Sequence, residues 1–408
     1  MTDISAIEPE RELHPVFFFI LYAPFGIAFG YVTVTVAYSL SQAGISVSDV
    51  AALIALYLFP QTWKLLWAPI VDTTLTAKRW YLISATGTGI LILAIALIST
   101  AKQPIWLLDA FVLLLSVVCS VTAMSTESLM AYLTAPHQRG RAGGWMQAGN
   151  LGGGGIGGGA GLWLAQHIAP WCAGTVLGFA CAASCCALLR VVQPPRPVIA
   201  ATYGATLRAT GKDVWSVLRS RAGLFAILLF LLPLGTTAAD NLWAAVAGDW
   251  RVSADIVALV DGVLGGLISV AGCLVGGYLC DLMDRKKAYA LFGTALALCA
   301  AGMGFAAKTP VMFVVFTSIY SFIGGMIYAA YAGATLETIG QGAAATKFNL
   351  LGCVSNVGVV YMTLLDGWVQ SHLGSSAMLF TEAALGIGSA IFFMALVLTL
   401  PRPGDSAN

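Results

Sequence analysis

The stretch GNLGGGGIGGGAG, Gly149 to Gly161, contains nine glycines among thirteen residues. It includes the spacing G-x-G-x-x-G at Gly152, Gly154 and Gly157, which in a soluble protein is the fingerprint of a dinucleotide-binding loop. That interpretation requires a β-strand before the glycines, whereas they lie within an apolar segment, residues 142–166. A flexible linker is also excluded, because unpaired backbone cannot be exposed to lipid. The stretch is therefore predicted to be part of a membrane helix.

The composition of the whole chain agrees with a membrane environment. Of its 408 residues, 59% are hydrophobic and 10% are charged, against about 25% charged in soluble domains. The mean hydropathy is +0.86, so we expect an integral membrane protein surrounded by lipids. The net charge of +1 argues against nucleic-acid binding, which needs a basic surface. The nine cysteines lack clustered histidines, and no metal site is predicted.

Twelve apolar segments are long enough to cross a membrane, which takes roughly 20 residues. They are called spans 1 to 12 and cover residues 16–40, 48–71, 81–100, 105–133, 142–166, 170–190, 222–247, 253–280, 287–307, 310–338, 343–371 and 375–400. The acidic tail Met1–Pro15 is unlike a cleavable signal peptide, so span 1 is expected to be retained. Residues 191–221 form a polar linker between residues 1–190 and 222–408. The predicted fold is all-α, with two six-helix bundles.

Basic residues mark one side of the membrane. Of the 20 Lys and Arg residues, 16 lie in one set of alternate loops, and only Lys102, Arg251 and Lys308 lie in the other. This asymmetry predicts that both termini are cytoplasmic.

A motif follows span 8. The stretch GGYLCDLMDRKK, Gly276–Lys287, places an acid and a basic cluster at helix ends, where they can bind the facing bundle through ion pairs and helix dipoles. It resembles the signature G-x-L-x-D-x-x-G-R-K/R-K/R of the major facilitator superfamily, with Asp284 in place of the usual glycine. The resemblance implies a role in gating, with a simple positive-inside anchor as the alternative. The implied gating residues are Gly277, Asp281, Arg285 and Lys286, with Asp72 and Arg79 at the equivalent place in the first half.

Three stretches resemble one branch of that superfamily, which includes AmpG-type muropeptide permeases, acetyl-CoA transporters and rhizobactin/pyochelin siderophore permeases. They are FPQTWKLLWAPIVD at Phe59–Asp72, APHQRGRAGG at Ala135–Gly144 and the stretch Ala345–Val369. The branch usually carries two acids in D-x-x-x-D-A-Y of span 4, whereas this chain has only Glu127 near that place.

Charged residues inside spans indicate function, because each is costly in lipid and usually faces a cavity. The resemblance implies a central cavity lined by spans 1, 4, 7 and 10, and three acids lie on these spans. The predicted proton-coupling and cavity residues are Glu127, Asp240, Lys64, Glu337, Tyr31, Trp145, Asn241 and Tyr328. Alternatives remain open: Glu337 can be solvated, Lys64 can extend to the interface, and Asp261 and Asp366 can be structural pairs.

The glycine stretch also predicts helix packing. Gly149, Gly153, Gly157 and Gly161 repeat every four residues and form one small face, which lets helix backbones approach closely. The counterpart is expected in span 8, at Gly262 and Gly266 and at Gly272 and Gly276, so that the two bundles meet along a glycine seam.

These patterns predict a secondary transporter of a small-molecule solute that works by alternating access as a monomer in a bacterial inner membrane. An enzyme is not expected, because no Ser–His–Asp or metal-ligand constellation stands out in the sequence. No P-loop is found in the sequence, so a proton gradient rather than ATP is the expected energy source and no cofactor is expected. The solute is expected to be peptide-like or polar organic, of the muropeptide or siderophore class, and taken up. A membrane sensor or assembly protein on the same fold is the alternative, followed by a membrane-embedded acyltransferase.

Overall fold

The computed structural model describes residues 13–45, 47–100, 104–192, 203–257, 260, 264–340 and 342–399. Within these ranges every regular element is a helix. Helices satisfy their own backbone hydrogen bonds, as lipid requires. Apolar side chains such as Ile90, Phe179 and Leu364 are exposed on the outside of the structure, as expected for a surface that faces lipid.

Nine of the twelve spans are continuous apolar helices in the described part of the chain. They are Val16–Gln42, Ala77–Ile98, Ile105–Leu133, Pro170–Leu189, Gly265–Leu282, Arg285–Phe305, Pro310–Ile339, Ala344–Leu373 and Ser375–Leu396. These helices are spans 1, 3, 4, 6 and 8 to 12. In the described residues, span 5 is helical but rich in glycine, and spans 2 and 7 are interrupted. Together the twelve spans form the predicted all-α membrane fold of two six-helix bundles.

Span 2 is interrupted near one end. Its helix Val47–Trp63 is followed by a 3-10 turn, Lys64–Leu66, and a short helix, Ala68–Thr73. Pro69 lies in the first turn of the short helix, where its missing N–H is tolerated but from where it cannot extend the preceding helix. The break places Lys64 in a turn rather than on a continuous helix.

Span 5 consists of the helix Arg139–Gly155, a π-helical turn Ile156–Ala160 and the helix Gly161–His167. A Cβ atom added at Gly149, Gly153 or Gly157 would strike the backbone of Phe19, Ala23 or Ile27 of span 1. The expectation that this face meets span 8 is therefore wrong. Span 1 carries its own pair, Gly26 and Gly30, whose Cβ positions lie against the backbone of span 5, so both helices supply small residues.

The fourth glycine of that face, Gly161, contacts the side chains of Thr35 and Leu177. Of the expected span 8 partners, Gly262 lies outside the described residues, and a Cβ added at Gly266 would meet nothing within 4 Å. Gly272 and Gly276 pack against span 10 instead, because a Cβ added at either would strike Phe322 or Met326.

Spans 5 and 8 do meet, but at one end and through other glycines. A Cβ added at Gly144 would lie 3.0 Å from the Gly277 Cα, and one at Gly277 would lie 2.8 Å from the Gly140 carbonyl oxygen. We call this end of the molecule the basic face, because the helix ends here carry Arg139, Arg141 and Arg285.

Span 7 is not the continuous helix that its hydropathy predicts. The helix Arg221–Leu231 ends before Pro233, and Leu232 is extended, as the residue before a proline usually is. Gly235 and Thr237 have positive φ angles of 68° and 53°. The chain then continues in short turns, Ala238–Leu242, Trp243–Val246 and Ala247–Trp250. Proline and glycine in one short stretch unwind the middle of the span.

The predicted polar linker contains an amphipathic helix, Tyr203–Arg219, which we call the linker helix. Its part Arg208–Arg219 lies at 73° to the first helix of span 7. The Pro-rich residues 193–197 are outside the described residues. The linker helix lies at the basic face, because Asp213 accepts a hydrogen bond from the Ala343 N–H at 2.8 Å, next to the start of span 11.

Candidate functional site

A central cavity of about 180 Å³ lies between the two bundles. It is lined by side chains and backbone of spans 1, 2, 4, 5, 7, 9, 10 and 11. Its polar lining residues are Tyr22, Lys64, Glu127, Gln147, Asn150, Thr236, Thr237, Tyr289, Tyr328, Tyr331, Asn349, Ser355 and Asn356. Lys64, Glu127 and Tyr328 therefore lie where the sequence predicts.

Glu127 joins the two bundles at this cavity. The Tyr22 hydroxyl of its own bundle donates to Oε1 at 2.9 Å, and the Asn349 amide of the other bundle donates to Oε2 at 2.7 Å. The residue is only 1% exposed. An ionised buried carboxylate needs such donors to offset its lost hydration. Both oxygens are satisfied, one from each side of the interface.

Lys64 supplies the positive charge of the cavity. Its ammonium group interacts electrostatically with Glu127 and lies 5.9 Å from the centre of the Phe25 ring. A direct ion pair between Lys64 and Glu127 is not among the described ion pairs. The ammonium group is therefore placed to attract an anionic group of a solute as well as Glu127.

The unwound part of span 7 forms one wall of the cavity, through Gly235, Thr236 and Thr237. Unwinding leaves carbonyl groups without helical partners, and irregular backbone is tolerated at membrane depth where it lines a cavity. Two of these carbonyls are satisfied by tyrosines: the Tyr289 hydroxyl donates to Leu234 O at 3.1 Å and the Tyr361 hydroxyl to Leu231 O at 2.7 Å.

Four amide side chains of the cavity were not predicted. Gln147 and Asn150 lie on span 5, where the Asn150 amide donates a hydrogen bond to Gln147 Oε1 at 3.2 Å. Asn349 and Asn356 lie on span 11. The signal was present in the sequence, since each is an amide within an otherwise apolar or glycine-rich span. Uncharged amides cost less free energy in lipid than charged groups, so their presence in a span is a weaker indication of a functional site.

Five predicted cavity residues lie elsewhere. Tyr31 is buried in the core of the first bundle, and Trp145 packs edge-on against Phe19. Asp240 is exposed on the turn after the unwound segment and accepts a hydrogen bond from the Trp243 indole, and Asn241 donates to the Thr363 hydroxyl. The break in span 7 displaces these two from the continuous helix on which they were placed. The fifth, Glu337, is described below.

Asp281 ties the bundles together at the basic face. Its carboxylate accepts hydrogen bonds from the Gly140 and Arg141 N–H groups at 2.8 and 3.0 Å, at the start of span 5. The side chains of Arg141 and Arg285 also contact it, at 3.0 and 3.2 Å. A carboxylate at a helix N-terminus satisfies free N–H groups and interacts favourably with the helix dipole.

Arg285 extends this contact. It donates to Glu337 at 3.0 Å and to the Pro136 carbonyl. Glu337 thus belongs to the contacts of the basic face and not to the cavity, because span 10 carries it beyond the cavity to the helix end. Lys286 donates to the Ala222 carbonyl at 3.2 Å within its own bundle.

Asp72 of the first bundle makes the corresponding contact with the second bundle. It accepts hydrogen bonds from Ala345 N at 3.2 Å, from Thr346 N at 2.8 Å and from the Thr346 hydroxyl at 2.7 Å, at the start of span 11. Burial raises the pKa of this carboxyl to about 6, although the hydrogen bonds from Thr346 favour its ionised form. Arg79 is exposed, and its side chain makes none of the described contacts.

The linker helix adds a further contact beside Asp72. Asp213 receives the Lys347 ammonium at 3.0 Å, and the Lys347 side chain is 1% exposed. The Tyr132 hydroxyl donates to the Gly342 carbonyl at 2.9 Å. The described structure is therefore closed at the basic face by contacts from spans 2, 4, 8 and 10 and from the linker helix.

Comparison with known proteins agrees with this architecture. The family model of the Major Facilitator Superfamily matches residues 18–346, which is most of the chain.

The chain belongs to the major facilitator superfamily.

Among curated relatives, the anhydromuropeptide permeases of Escherichia coli K12 and of Escherichia coli O157:H7 are each 27% identical over 238 residues. The alignment covers 56% of this chain and 48% of each permease. The chain thus spans about half the length of the curated relatives it matches.

Solved structures share the fold at low sequence identity. The human organic anion transporter MFSD10 (TETRAN) aligns with a TM-score of 0.68 and 13% identity, over 95% of this chain and all of that one. The proton:xylose symporter XylE bound to 6-bromo-6-deoxy-D-glucose aligns with a TM-score of 0.63 and 15% identity, over 94% of this chain and 96% of that one. Membership of this superfamily assigns the chain to the membrane transporters rather than to the enzymes, and the two solved structures show the fold alone.

Proposed function

We propose that this superfamily member is a proton-coupled secondary transporter that takes up a peptide-like or polar organic solute by alternating access. The observation that carries the proposal is the position of Glu127, a buried carboxylate that accepts hydrogen bonds from both bundles inside the central cavity. A group that binds a proton there can change the contact between the bundles, which is the coupling that such a transporter needs.

Protonation of Glu127 alters what its oxygens can do. The ionised carboxylate accepts from both Tyr22 and Asn349, whereas the neutral acid carries a donor in place of one acceptor. The bond between the bundles is then weakened, and Asn349 and Lys64 become available to the solute. The cavity thus couples proton binding to solute binding and to separation of the bundles.

The lining of the cavity suits a solute that carries amides and a carboxylate. Lys64 attracts an anion, and the amides of Gln147, Asn150 and Asn349 can each donate and accept. Muropeptides and many siderophores present such groups, and the similarity to anhydromuropeptide permeases supports the muropeptide class. The cavity of about 180 Å³ is smaller than the roughly 300–1,000 Å³ of typical ligand sites, so the bundles must part to admit such a solute.

The proposed orientation of the protein in the membrane rests on the charge of the basic face. We place this face in the cytoplasm, with both termini on the same side, because cytoplasmic loops are rich in Lys and Arg. The Asp281 and Asp72 contacts then form the cytoplasmic gate. Residues 1–190 and 222–408 move as two bundles joined by the linker 191–221, within one chain that works as a monomer in a bacterial inner membrane.

The experiment is uptake by the purified, full-length protein in proteoliposomes with an imposed inward proton gradient. Labelled anhydromuropeptide and a labelled ferric siderophore are supplied in separate reactions. We expect accumulation of the muropeptide that collapses when an uncoupler is added. Asp49→Asn is the control, because this exposed acid lies in span 2 at the end away from the basic face and outside the cavity.

Three outcomes count against parts of the proposal. Accumulation of the siderophore alone contradicts the muropeptide class. Transport that is insensitive to both the gradient and the uncoupler contradicts proton coupling. Failure to transport either solute contradicts the proposed solute class as a whole.

A further inference from the structure

Two acids lie buried in the second bundle, in the half away from the basic face. Asp366 of span 11 is 0% exposed and Glu382 of span 12 is 5% exposed. Neither lines the central cavity, so the mechanism proposed for Glu127 does not use them.

The two carboxylates have few hydrogen-bond partners. The Tyr320 hydroxyl of span 10 donates to Glu382 Oε1, and the Ala239 backbone N–H of the turn after the unwound segment also faces this carboxyl. Glu382 Oε2 and both oxygens of Asp366 have no hydrogen-bond partner in the described part of the molecule. Three buried acceptor atoms without donors are costly for an ionised pair, because nothing replaces the water that was removed.

The groups that face these acids do not neutralise them. Glu382 interacts electrostatically with Asp366 and with Asp240 of the turn after the unwound segment, and Cys299 of span 9 lies close to Glu382. Tyr320 interacts with both buried acids. No ion pair of the described residues includes Asp366 or Glu382. Lys308, before the start of span 10, contacts Asp249 at 3.9 Å and Ser375 at 3.2 Å instead.

Two carboxylates that share a buried site cannot both be ionised without a compensating cation. A metal ion is not indicated, since the described residues contain no group of three or more His, Cys, Asp or Glu arranged to hold one. We propose that Asp366 and Glu382 share one proton and form a second proton-binding site of the transporter, separate from Glu127. Asp240 is exposed and interacts electrostatically with Glu382, so it is placed between this site and water.

The role of this site in transport rests on the proposed proton coupling, whereas proton binding by the pair does not. The site lies at the contact of spans 7, 10, 11 and 12, beyond the unwound segment of span 7 that lines the cavity. Gain or loss of the shared proton changes the charge beside that segment. The Asp366–Glu382 site is thus placed to change the shape of the cavity from within the second bundle, while Glu127 acts between the two bundles.

The test is chemical modification of the full-length protein in liposomes with dicyclohexylcarbodiimide, which reacts with protonated carboxyl groups in apolar surroundings. Peptide mass spectrometry locates each adduct, so that a Glu127 adduct is counted separately. We expect one adduct per chain at either Asp366 or Glu382 near neutral pH. Modification is expected to be lost at these positions in the double variant Asp366→Asn, Glu382→Gln.

Single variants test whether the proton is shared. In Asp366→Asn, removal of the like charge is expected to move half-maximal modification of Glu382 to lower pH, by about one unit or more, a tenfold change in proton affinity. Glu382→Gln is expected to do the same for Asp366, which provides a second route if one variant does not fold. Asp49→Asn serves as the control with an unchanged profile.

Two results overturn the inference. One is the absence of any adduct at Asp366 and Glu382 in the unmodified sequence. The other is a modification profile of each acid that is unaffected by neutralising its neighbour. Because this readout uses no solute, it stays interpretable if the uptake experiment fails.

Discussion

At the scale of residues, the cavity is defined by polar side chains that must hydrogen-bond to each other, because the surrounding apolar medium offers no other partners. Glu127 is tolerated at 1% exposure because Tyr22 and Asn349 donate to it. Lys64 remains within electrostatic reach without forming a direct ion pair. A charged group without a fixed partner is the natural point of contact for a charged solute.

Lys64 is therefore predicted to bind a carboxylate of the solute. In Lys64→Met, loss of charge-assisted hydrogen bonding worth about 1.5–3 kcal/mol raises the KM for a carboxylate-bearing solute about ten- to hundredfold. Uptake kinetics in proteoliposomes measure this change.

Lys64→Arg is the matched control and retains most of the affinity, because the positive charge is kept. The prediction is contradicted if the methionine and arginine variants have equal KM values.

Sequence patterns located part of this site. A lysine and an acid within apolar spans stand out by their cost, so Lys64 and Glu127 were predicted, together with Tyr328. The hydrogen bond from Asn349 to Glu127 could not be predicted from the sequence, because it depends on how span 11 of one bundle faces span 4 of the other. The pairing of Asp366 with Glu382 depends on the packing of spans 11 and 12. Glu382 was not predicted, although an acid within apolar span 12 carries the same signal as Glu127.

At the scale of elements, glycine determines how closely the helices approach. On span 5, the backbone of span 1 packs against Gly149, Gly153 and Gly157. On span 1, Gly26 and Gly30 pack in turn against the backbone of span 5. The four-residue spacing predicted a close contact, but it could not name the partner helix. Spans 5 and 8 instead meet through Gly140, Gly144 and Gly277 at the basic face.

A matched pair of substitutions tests this packing. A Cβ at Gly157 would strike the Ile27 backbone, whereas a Cβ at Gly155 would meet nothing within 4 Å. Gly157→Ala is expected to destabilise the protein by about 1–3 kcal/mol through overpacking. Gly155→Ala is expected to be neutral or to stabilise the helix by up to about 1 kcal/mol.

Thermal unfolding in detergent distinguishes the two variants. Equal melting temperatures would show that the face of Gly157 is not packed against span 1.

Span 7 shows why hydropathy alone misplaces residues. Its composition fits a single membrane helix, but Pro233 and Gly235 unwind it, and Asp240 and Asn241 move onto a separate turn. Hydropathy averaged over a window of residues does not show the position at which a single proline removes a helical hydrogen bond. The same break supplies the backbone wall of the cavity, which no residue pattern predicted.

At the scale of the whole molecule, two aspartates make equivalent contacts in opposite directions. Asp281 of the second bundle caps the start of span 5, and Asp72 of the first bundle caps the start of span 11. The twelve-span layout and the motif after span 8 predicted this architecture, because both follow from linear patterns. The Asp213–Lys347 pair was not predicted, since it depends on where the linker helix docks.

Loss of the Asp281 contact is predicted to open the basic face. Asp281→Asn removes charge-assisted hydrogen bonds to the other bundle, each worth about 1.5–3 kcal/mol. Pulsed electron paramagnetic resonance between spin labels at His137 and Leu282, with the native cysteines replaced, measures the opening. We expect a larger population of long distances in the variant.

Asp284→Asn is the matched control, because Asp284 caps only its own helix at Lys286 and Lys287. Its distance distribution is expected to match that of the unsubstituted protein. An Asp281→Asn distribution identical to that of the control would contradict the role of Asp281 in closing this face.

The most direct test of the central claim is proton movement driven by the solute through the protein in proteoliposomes. A solute gradient directed inward is imposed without any proton gradient, and an internal pH-sensitive dye is followed. We expect acidification of the interior with the unsubstituted chain, and solute exchange without acidification with Glu127→Gln. Solute entry without a pH change in the unsubstituted chain, or equal acidification in Glu127→Gln, would contradict it.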